Sequence, residues 1–251
     1  MKTRAVLIIS IFLLFQAAAV FGAGRQPTTD SIQPVEDRSA ERRSMVSDQL
    51  KSRDIRDPAV LSAMARVPRH LFIPDEYRHL AYADRPVLIG EGQTISQPYI
   101  VALMTQLLEL EETDRILEIG TGSGYQAAVL AETAGEVFSV EIKPVLYERA
   151  AETLTTVGYD SVHLLSGDGY FGWEEHAPFD GIMITAAANH VPPPLLDQLK
   201  PDGVLVMPLG DPLGYQLLIR VTRTDDDYIL EQITGVMFVP MTGTAMNSEV
   251  R

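Results

Sequence analysis

The chain contains no cysteine. That excludes disulfides, thiolate metal sites and any mechanism needing a thiol nucleophile, while leaving the redox compartment open. Basic residues are scarce as well: 20 Lys and Arg stand against 34 Asp and Glu, a formal charge of −14. A surface of that sign repels nucleic acid and anionic lipid, so neither is expected as a partner. Signs of a second domain are also missing, because 251 residues at 46% hydrophobic content suffice for one substantial core.

What is present begins with residues 1–24, where Lys2 and Arg4 precede an apolar run that ends in Gly22, Ala23 and Gly24. This is signal-peptide architecture and predicts an exported, periplasmic protein with no stable membrane association after cleavage. The competing readings are an uncleaved anchor, or a mis-called start ahead of a cytoplasmic protein. Residues 25–40 mix Pro, Thr, Asp, Ser and Gln without period and read as a flexible linker. A single domain is expected over 41–251, with 41–110 as a helical cap and active-site loop and 111–251 as the core.

The core is organised around Arg-Ile-Leu-Glu-Ile-Gly-Thr-Gly-Ser-Gly-Tyr at 115–125. A short apolar run, a glycine cluster and an Ala/Val/Leu-rich helical pattern follow one another, which reads as strand, tight turn and helix. Glycines at 120, 122 and 124 let a ligand approach the backbone, and the helix start behind them offers free N–H groups. Tyr125 stands where a dinucleotide fingerprint asks for glycine, and Glu118 repels phosphate, so a cationic ligand is favoured over NAD or FAD. E-x-G-x-G-x-G resembles motif I of the class I S-adenosylmethionine-dependent methyltransferases. A Gly-rich turn with no ligand is the plain alternative.

Upstream, helical spacing predicts helices over 41–53 and 58–66, which the prolines at 68 and 74 then end. His70 and His79 have no accompanying nucleophile or carboxylate pattern and are expected to be surface or boundary residues. Next comes Gly-Glu-Gly-Gln-Thr-Ile-Ser-Gln-Pro-Tyr at 90–99, ahead of a helical pattern over 100–110, with Ser96 expected as N-cap and Pro98 in the first turn. Together with the L-E-I-G-T-G-S-G-Y-Q segment and the preceding V-P-R-x-x-F, this stretch resembles the protein-L-isoaspartate (D-aspartate) O-methyltransferase family from about residue 43 to 241. The resemblance implies that Ser96 is the active-site serine, with Thr94 and Ile95 lining the same pocket.

Farther along, strands are predicted at 137–141, 162–165, 179–185, 204–208, 216–222 and 228–234. Glu141 lies about twenty residues beyond the first glycine and is expected to hold the ribose, or else to cap the helix that follows. Gly167 and Asp168 are implied by the resemblance to hold adenine. Amine-methylating enzymes place a polar residue and two prolines after the fourth strand to orient the nitrogen; Thr185-Ala186-Ala187 offers no such group, which suits an acceptor that is already an anion. Val239 and Pro240 are implied by the resemblance to line the substrate pocket, whereas Met241 to Thr244 depart from the family's usual polar continuation. The run Asp225-Asp226-Asp227 reads as a solvated turn, so no metal is expected.

These readings predict a doubly wound α/β sheet, Rossmann-like, with the cofactor at the carboxyl ends of the strands. The resemblance adds a central strand order of 3-2-1-4-5 with altered last strands, S-adenosyl-L-methionine as cofactor, and methyl esterification of isoaspartyl (and D-aspartyl) residues in damaged proteins; a monomer is expected, although the sequence itself does not give the oligomeric state. A methyltransferase of the same fold acting on a small carboxylic acid or another oxygen nucleophile stands as the alternative, and a non-catalytic binding module as a third.

Overall fold

The structure, a computed structural model, describes residues 37–244 and Met246. The expected export segment and residues 25–36 of the expected linker lie outside them.

Helix α1 (Ser39–Met45) continues without a break through a π-helical turn, Val46–Lys51, so the helix expected from 41 begins two residues sooner. Arg38 is buried, with Nη1 donating to the Arg78 carbonyl at 2.6 Å. The linker reading of 37–40 is therefore corrected: a buried arginine and a helix start anchor this stretch. Helix α2 (Pro58–Arg66) is capped by Asp57, which accepts from the backbone of Ala59 and Val60, with Pro58 in the first turn.

The second informative stretch forms an antiparallel hairpin that periodicity did not predict, β1 (Val87–Gly90) with β2 (Gln93–Ile95). Its turn places Gly90, Glu91 and Gly92 at positive φ. Helix α3 (Pro98–Leu107) follows, and its N-cap is Gln97 with no side-chain capping bond. The capping role expected of Ser96 is thus overturned, because the helix starts one residue too late for its hydroxyl to reach the free N–H groups.

Strand β3 (Arg115–Ile119) then leads through the glycine turn into α4 (Tyr125–Ala131), followed by β4 (Glu136–Glu141), α5 (Pro144–Thr156), β5 (His163–Ser166), β6 (Phe179–Ile184), α6 (Pro193–Asp197), β7 (Leu199–Gly210), β8 (Gln216–Arg223) and β9 (Tyr228–Val236). The seven strands β3 to β9 form one sheet in the order β5-β4-β3-β6-β7-β8-β9, parallel through β7 and antiparallel beyond. Numbered from β3, the first five strands run 3-2-1-4-5, as the resemblance implied. Strand β7 begins five residues ahead of the strand expected at 204–208, and within it Phe179 pairs with Leu199 but Gly181 pairs with Val204. Residues 200–203 bulge out of the ladder with Asp202 at φ 61.

Alternation along the strands divides the core in two, with Ile116, Met183, Val204 and Val206 packed on one side and Leu117, Ile182, Ile184, Leu205 and Met207 on the other. Both faces are covered, as a parallel sheet requires. Truncating a fully buried member such as Leu117 to Ala would cost about 2–5 kcal/mol. The sheet thereby holds the carboxyl ends of β3, β4 and β6 side by side. His70 is buried with Nδ1 2.8 Å from the Tyr82 hydroxyl, contrary to the boundary position expected of it, while His79 is exposed. The Asp225–Asp227 turn between β8 and β9 is closed by Thr224, whose hydroxyl accepts from the Asp227 N–H at 3.0 Å. Among the described residues no helix is long and apolar enough to cross a membrane.

Candidate active site

A cavity opens at the carboxyl ends of β3, β4 and β6. Its floor is the turn after β3, where Gly120 and Gly122 take φ of 102° and 56°, values that favour glycine. A Cβ at Gly120 would run into the Thr185 hydroxyl, which donates to the Ile119 and Gly120 carbonyls at 3.0 and 2.7 Å. The Gly122 N–H donates to Glu141 Oε2 at 2.7 Å, and the Lys143 N–H to Glu141 Oε1 at 2.8 Å. Glu141 therefore ties the glycine turn to the start of α5. Each of its oxygens retains a lone pair for a ligand hydroxyl, whereas the capping alternative is not met, because the N-cap of α5 is Lys143 with no side-chain capping bond.

Glu118 is fully buried, and Ser139 donates to its Oε2 at 2.5 Å. Ser139 is in turn 2.6 Å from the Thr121 hydroxyl. Glu118 lines the cavity, and its Oε1 has no partner among the described residues. Burial pushes its carboxyl up to about 8; Ser139 pulls the other way and Glu141 adds repulsion. In the ligand-free chain burial thus favours the neutral form of this carboxyl. A cation entering the cavity would draw that proton off.

The opposite wall is made by the hairpin and two distant segments. Thr94, Ile95 and Ser96 line it together with Thr185, Ala186, Val239 and Pro240. Ser96 is half-buried, and its hydroxyl makes no hydrogen bond with the described residues. Two arginines hold the hairpin from behind: Arg149 donates to the Ile89 carbonyl and Arg69 to the Ser96 carbonyl, each at 2.6 Å. The Val239 and Pro240 segment is attached by the Ala187 N–H to the Val239 carbonyl at 2.9 Å and the Met241 N–H to the Ala187 carbonyl at 2.8 Å. A second cleft shares Thr94, Ser96, Thr185 and Val239 with the cavity and continues past Gln97, Tyr215 and Met237 to the outside.

Twelve of the sequence-predicted residues thus meet at one cavity, and three do not. Gly124 is the N-cap of α4 at φ 85 and packs against Leu154. Gly167 and Asp168 are absent from the cavity wall, although Gly169 belongs to it. The Asp168 carboxylate accepts from the Tyr170 N–H at 3.1 Å and from the Thr244 N–H and hydroxyl at 2.8 and 3.0 Å. Residues 241–244, which break from the resembled pattern, fold back over it. Sequence reasoning missed Lys143, Tyr125, Gln126, Met241 and Thr242 in the wall. Lys143, two residues past Glu141, was within reach of a local reading; the others required the fold.

A sequence profile described as protein-L-isoaspartate(D-aspartate) O-methyltransferase matches residues 40–246. The chain is 62% identical over 205 residues to protein-L-isoaspartate O-methyltransferase 2 of Shewanella sediminis, covering 82% of this chain and 84% of that one. It is 48% identical over 249 residues to a relative of the same name from Syntrophobacter fumaroxidans, covering 96% and 98%. Among solved structures it is similar to one from Plasmodium falciparum assigned as a protein-L-isoaspartate O-methyltransferase in complex with S-adenosyl-L-homocysteine, with TM-score 0.68, 26% identity and coverage of 80% and 98%.

Proposed function

The chain belongs to the protein-L-isoaspartate(D-aspartate) O-methyltransferase family, and from that premise we propose that its cavity esterifies the free α-carboxylate of L-isoaspartyl, and D-aspartyl, residues in damaged proteins. The observation that carries the reading is the meeting of a glycine-floored, acid-lined wall with a hydroxyl-bearing hairpin across one cavity. The residues fit S-adenosylmethionine: a Cβ-free floor at Gly120 and Gly122 admits its backbone-hugging part, and the unpartnered Glu118 Oε1 suits a cationic group. When bound, that cofactor supplies an electrophilic methyl on a sulfonium.

The protein's own part is positioning. Glu118, Gly120, Thr121, Gly122 and Glu141 hold the cofactor side; Thr94, Ile95, Thr185, Ala186, Val239 and Pro240 hold the acceptor. The Ser96 hydroxyl, which makes no hydrogen bond with the described residues, is available to donate to the acceptor carboxylate. With that cofactor bound, these residues would bring a carboxylate oxygen to the electrophilic methyl, and the transfer would leave a carboxyl ester, with the sulfur departing as a neutral thioether. No proton moves, because the acceptor is already ionised at pH 7. Proximity, alignment and exclusion of water supply the acceleration. The ester then closes to a succinimide, which opens the route back to a normal aspartyl linkage. Residues 1–24 support export of the mature enzyme, which we read as a monomer; sequencing the N-terminus of the native protein and measuring its mass in solution test those two points.

The substrate test pairs an isoaspartyl hexapeptide with its aspartyl twin, using methyl-labelled S-adenosylmethionine. Label should enter only the isoaspartyl peptide, since in the aspartyl twin the free carboxylate sits one methylene farther from the backbone and out of register. It should also leave under mild base, as a carboxyl ester does. Equal labelling of both peptides, or transfer only to small free acids, would replace this assignment with a small-acid methyltransferase.

A further inference from the structure

Arg69 heads the fully buried side chains by volume, and it is a cation with no place in the chemistry above. Its Nε donates to the Ala81 carbonyl at 2.8 Å, its Nη2 donates to the Ser96 carbonyl at 2.6 Å, and its guanidinium carbon lies 4.8 Å from the centroid of the Tyr125 ring. Nη1 has no hydrogen-bond partner among the described residues. Burial lowers its pKa to about 10, with the nearby tyrosines opposing, so it remains charged at neutral pH. Enclosing a charge whose bonded partners are two neutral carbonyls and a ring is costly, and an apolar side chain would fill the same space at less expense. The expense points to something the fork itself does.

Arg69 touches both walls of the cavity from behind. Ser96 lies between β2 and α3, outside any ladder, so the backbone there lacks strand or helix bonding to fix it. Tyr125 opens α4, at the exit of the glycine turn, and lines the cavity. A rigid planar fork that bonds two carbonyls while stacking on a ring fixes their mutual distance, which a single ammonium on a flexible stem cannot do.

We propose that Arg69 is a positioning residue for the methyl acceptor, holding Ser96 at a set distance from the cofactor-side helix so that the acceptor carboxylate meets the methyl in line. This rests on the reading of Ser96 as the acceptor-side hydroxyl. Arg69 is absent from the cavity wall, so it acts through Ser96. Its loss should therefore fall on the acceptor and spare the cofactor.

The experiment uses the full chain with Arg69→Lys, which keeps the charge without the fork, and Arg69→Gln, which keeps one donor group without the charge. Both variants should lower kcat/KM for the isoaspartyl peptide by about tenfold or more, carried by a higher peptide KM and a lower kcat. The dissociation constant for S-adenosylhomocysteine, read by calorimetry, should stay within about twofold of wild type. Wild-type kcat/KM in either folded variant would overturn the proposal. So would a parallel loss of S-adenosylhomocysteine affinity, a loss confined to Arg69→Gln, which would assign the effect to charge, or failure of both variants to fold, which would make Arg69 purely structural. A wild-type protein that binds S-adenosylhomocysteine but ignores the isoaspartyl peptide would instead strike down the functional reading beneath it.

Discussion

The two walls of the cavity are built differently. On the cofactor side Glu118, Thr121, Ser139 and Glu141 are all buried, come from 24 consecutive residues, and hydrogen-bond to one another or to adjacent backbone. On the acceptor side Ser96, Thr185 and Val239 are half-buried and arrive from three separate parts of the chain. One wall is preorganised by neighbouring strands of a parallel sheet. The other is assembled by tertiary bonds such as Arg69 to Ser96 and Ala187 to Val239. On the proposed reading, a site divided this way would separate binding the common cofactor from choosing the acceptor, so substitutions on each side should break different measurements.

The largest effect is expected on the preorganised wall. Gly122→Val forces a β-branched residue into a φ of 56° at the cavity floor, where Gly122 also donates to Glu141. S-adenosylhomocysteine affinity should fall by on the order of 100-fold, about 2.7 kcal/mol, in isothermal titration. A variant that binds as well as wild type would remove the distinction between the walls at its strongest point.

Next comes Ser96→Ala on the assembled wall. Because Ser96 caps no helix, its truncation should leave the melting temperature nearly unchanged. Isoaspartyl kcat/KM should drop by about 10- to 100-fold, roughly 1.4–2.7 kcal/mol, with S-adenosylhomocysteine affinity intact. Unchanged turnover in the folded variant would sink the acceptor role of the hydroxyl.

Glu118 sharpens the comparison through pH. Its folded pKa, raised from 4.5 to about 8, lies above the unfolded value, so the stability it contributes is present below pH 4.5 and is lost as pH climbs toward 8. Within that window the ligand-free protein should lose about 1.4 kcal/mol per pH unit from this group. Glu118→Gln should flatten that part of a urea-denaturation series run between pH 5 and 8. An unaltered slope would mean that the carboxyl ionises freely in the folded chain.

The smallest effect is expected far from both walls. Ile229 on the edge strand β9 is 56% exposed. Ile229→Ser should change stability by no more than about 0.5 kcal/mol and leave methylation alone. A marked loss of either would show that β9 takes part in the site or in a contact with a partner.

The cofactor wall was largely legible in the sequence because its information is local. A strand, three spaced glycines and an acid some twenty residues on are each read within a single window, and Arg115–Ile119 and Glu136–Glu141 appear in the structure within a residue of expectation. The sheet order came instead from the family resemblance, since periodicity carries no pairing. The hairpin at 87–95 was missed because its short strands have no clear alternation and only pairing identifies them. Ser96 was assigned to a cap because a Ser two residues ahead of a Pro satisfies the local rule. The actual start of α3 at Pro98 makes Gln97 the cap and leaves the Ser96 hydroxyl facing the cavity wall.

The sequence by itself determined the fold class, the glycine floor and the two acids at the strand ends, because backbone sterics and strand period are properties of a few consecutive residues; the acceptor motif was legible only through the family resemblance. Only the tertiary structure decided that burial raises the Glu118 carboxyl, that Asp168 is held by Thr244, and that Arg69 is buried behind Ser96. Desolvation and long-range hydrogen bonds depend on what the rest of the chain brings within a few ångströms, and no window of sequence contains that.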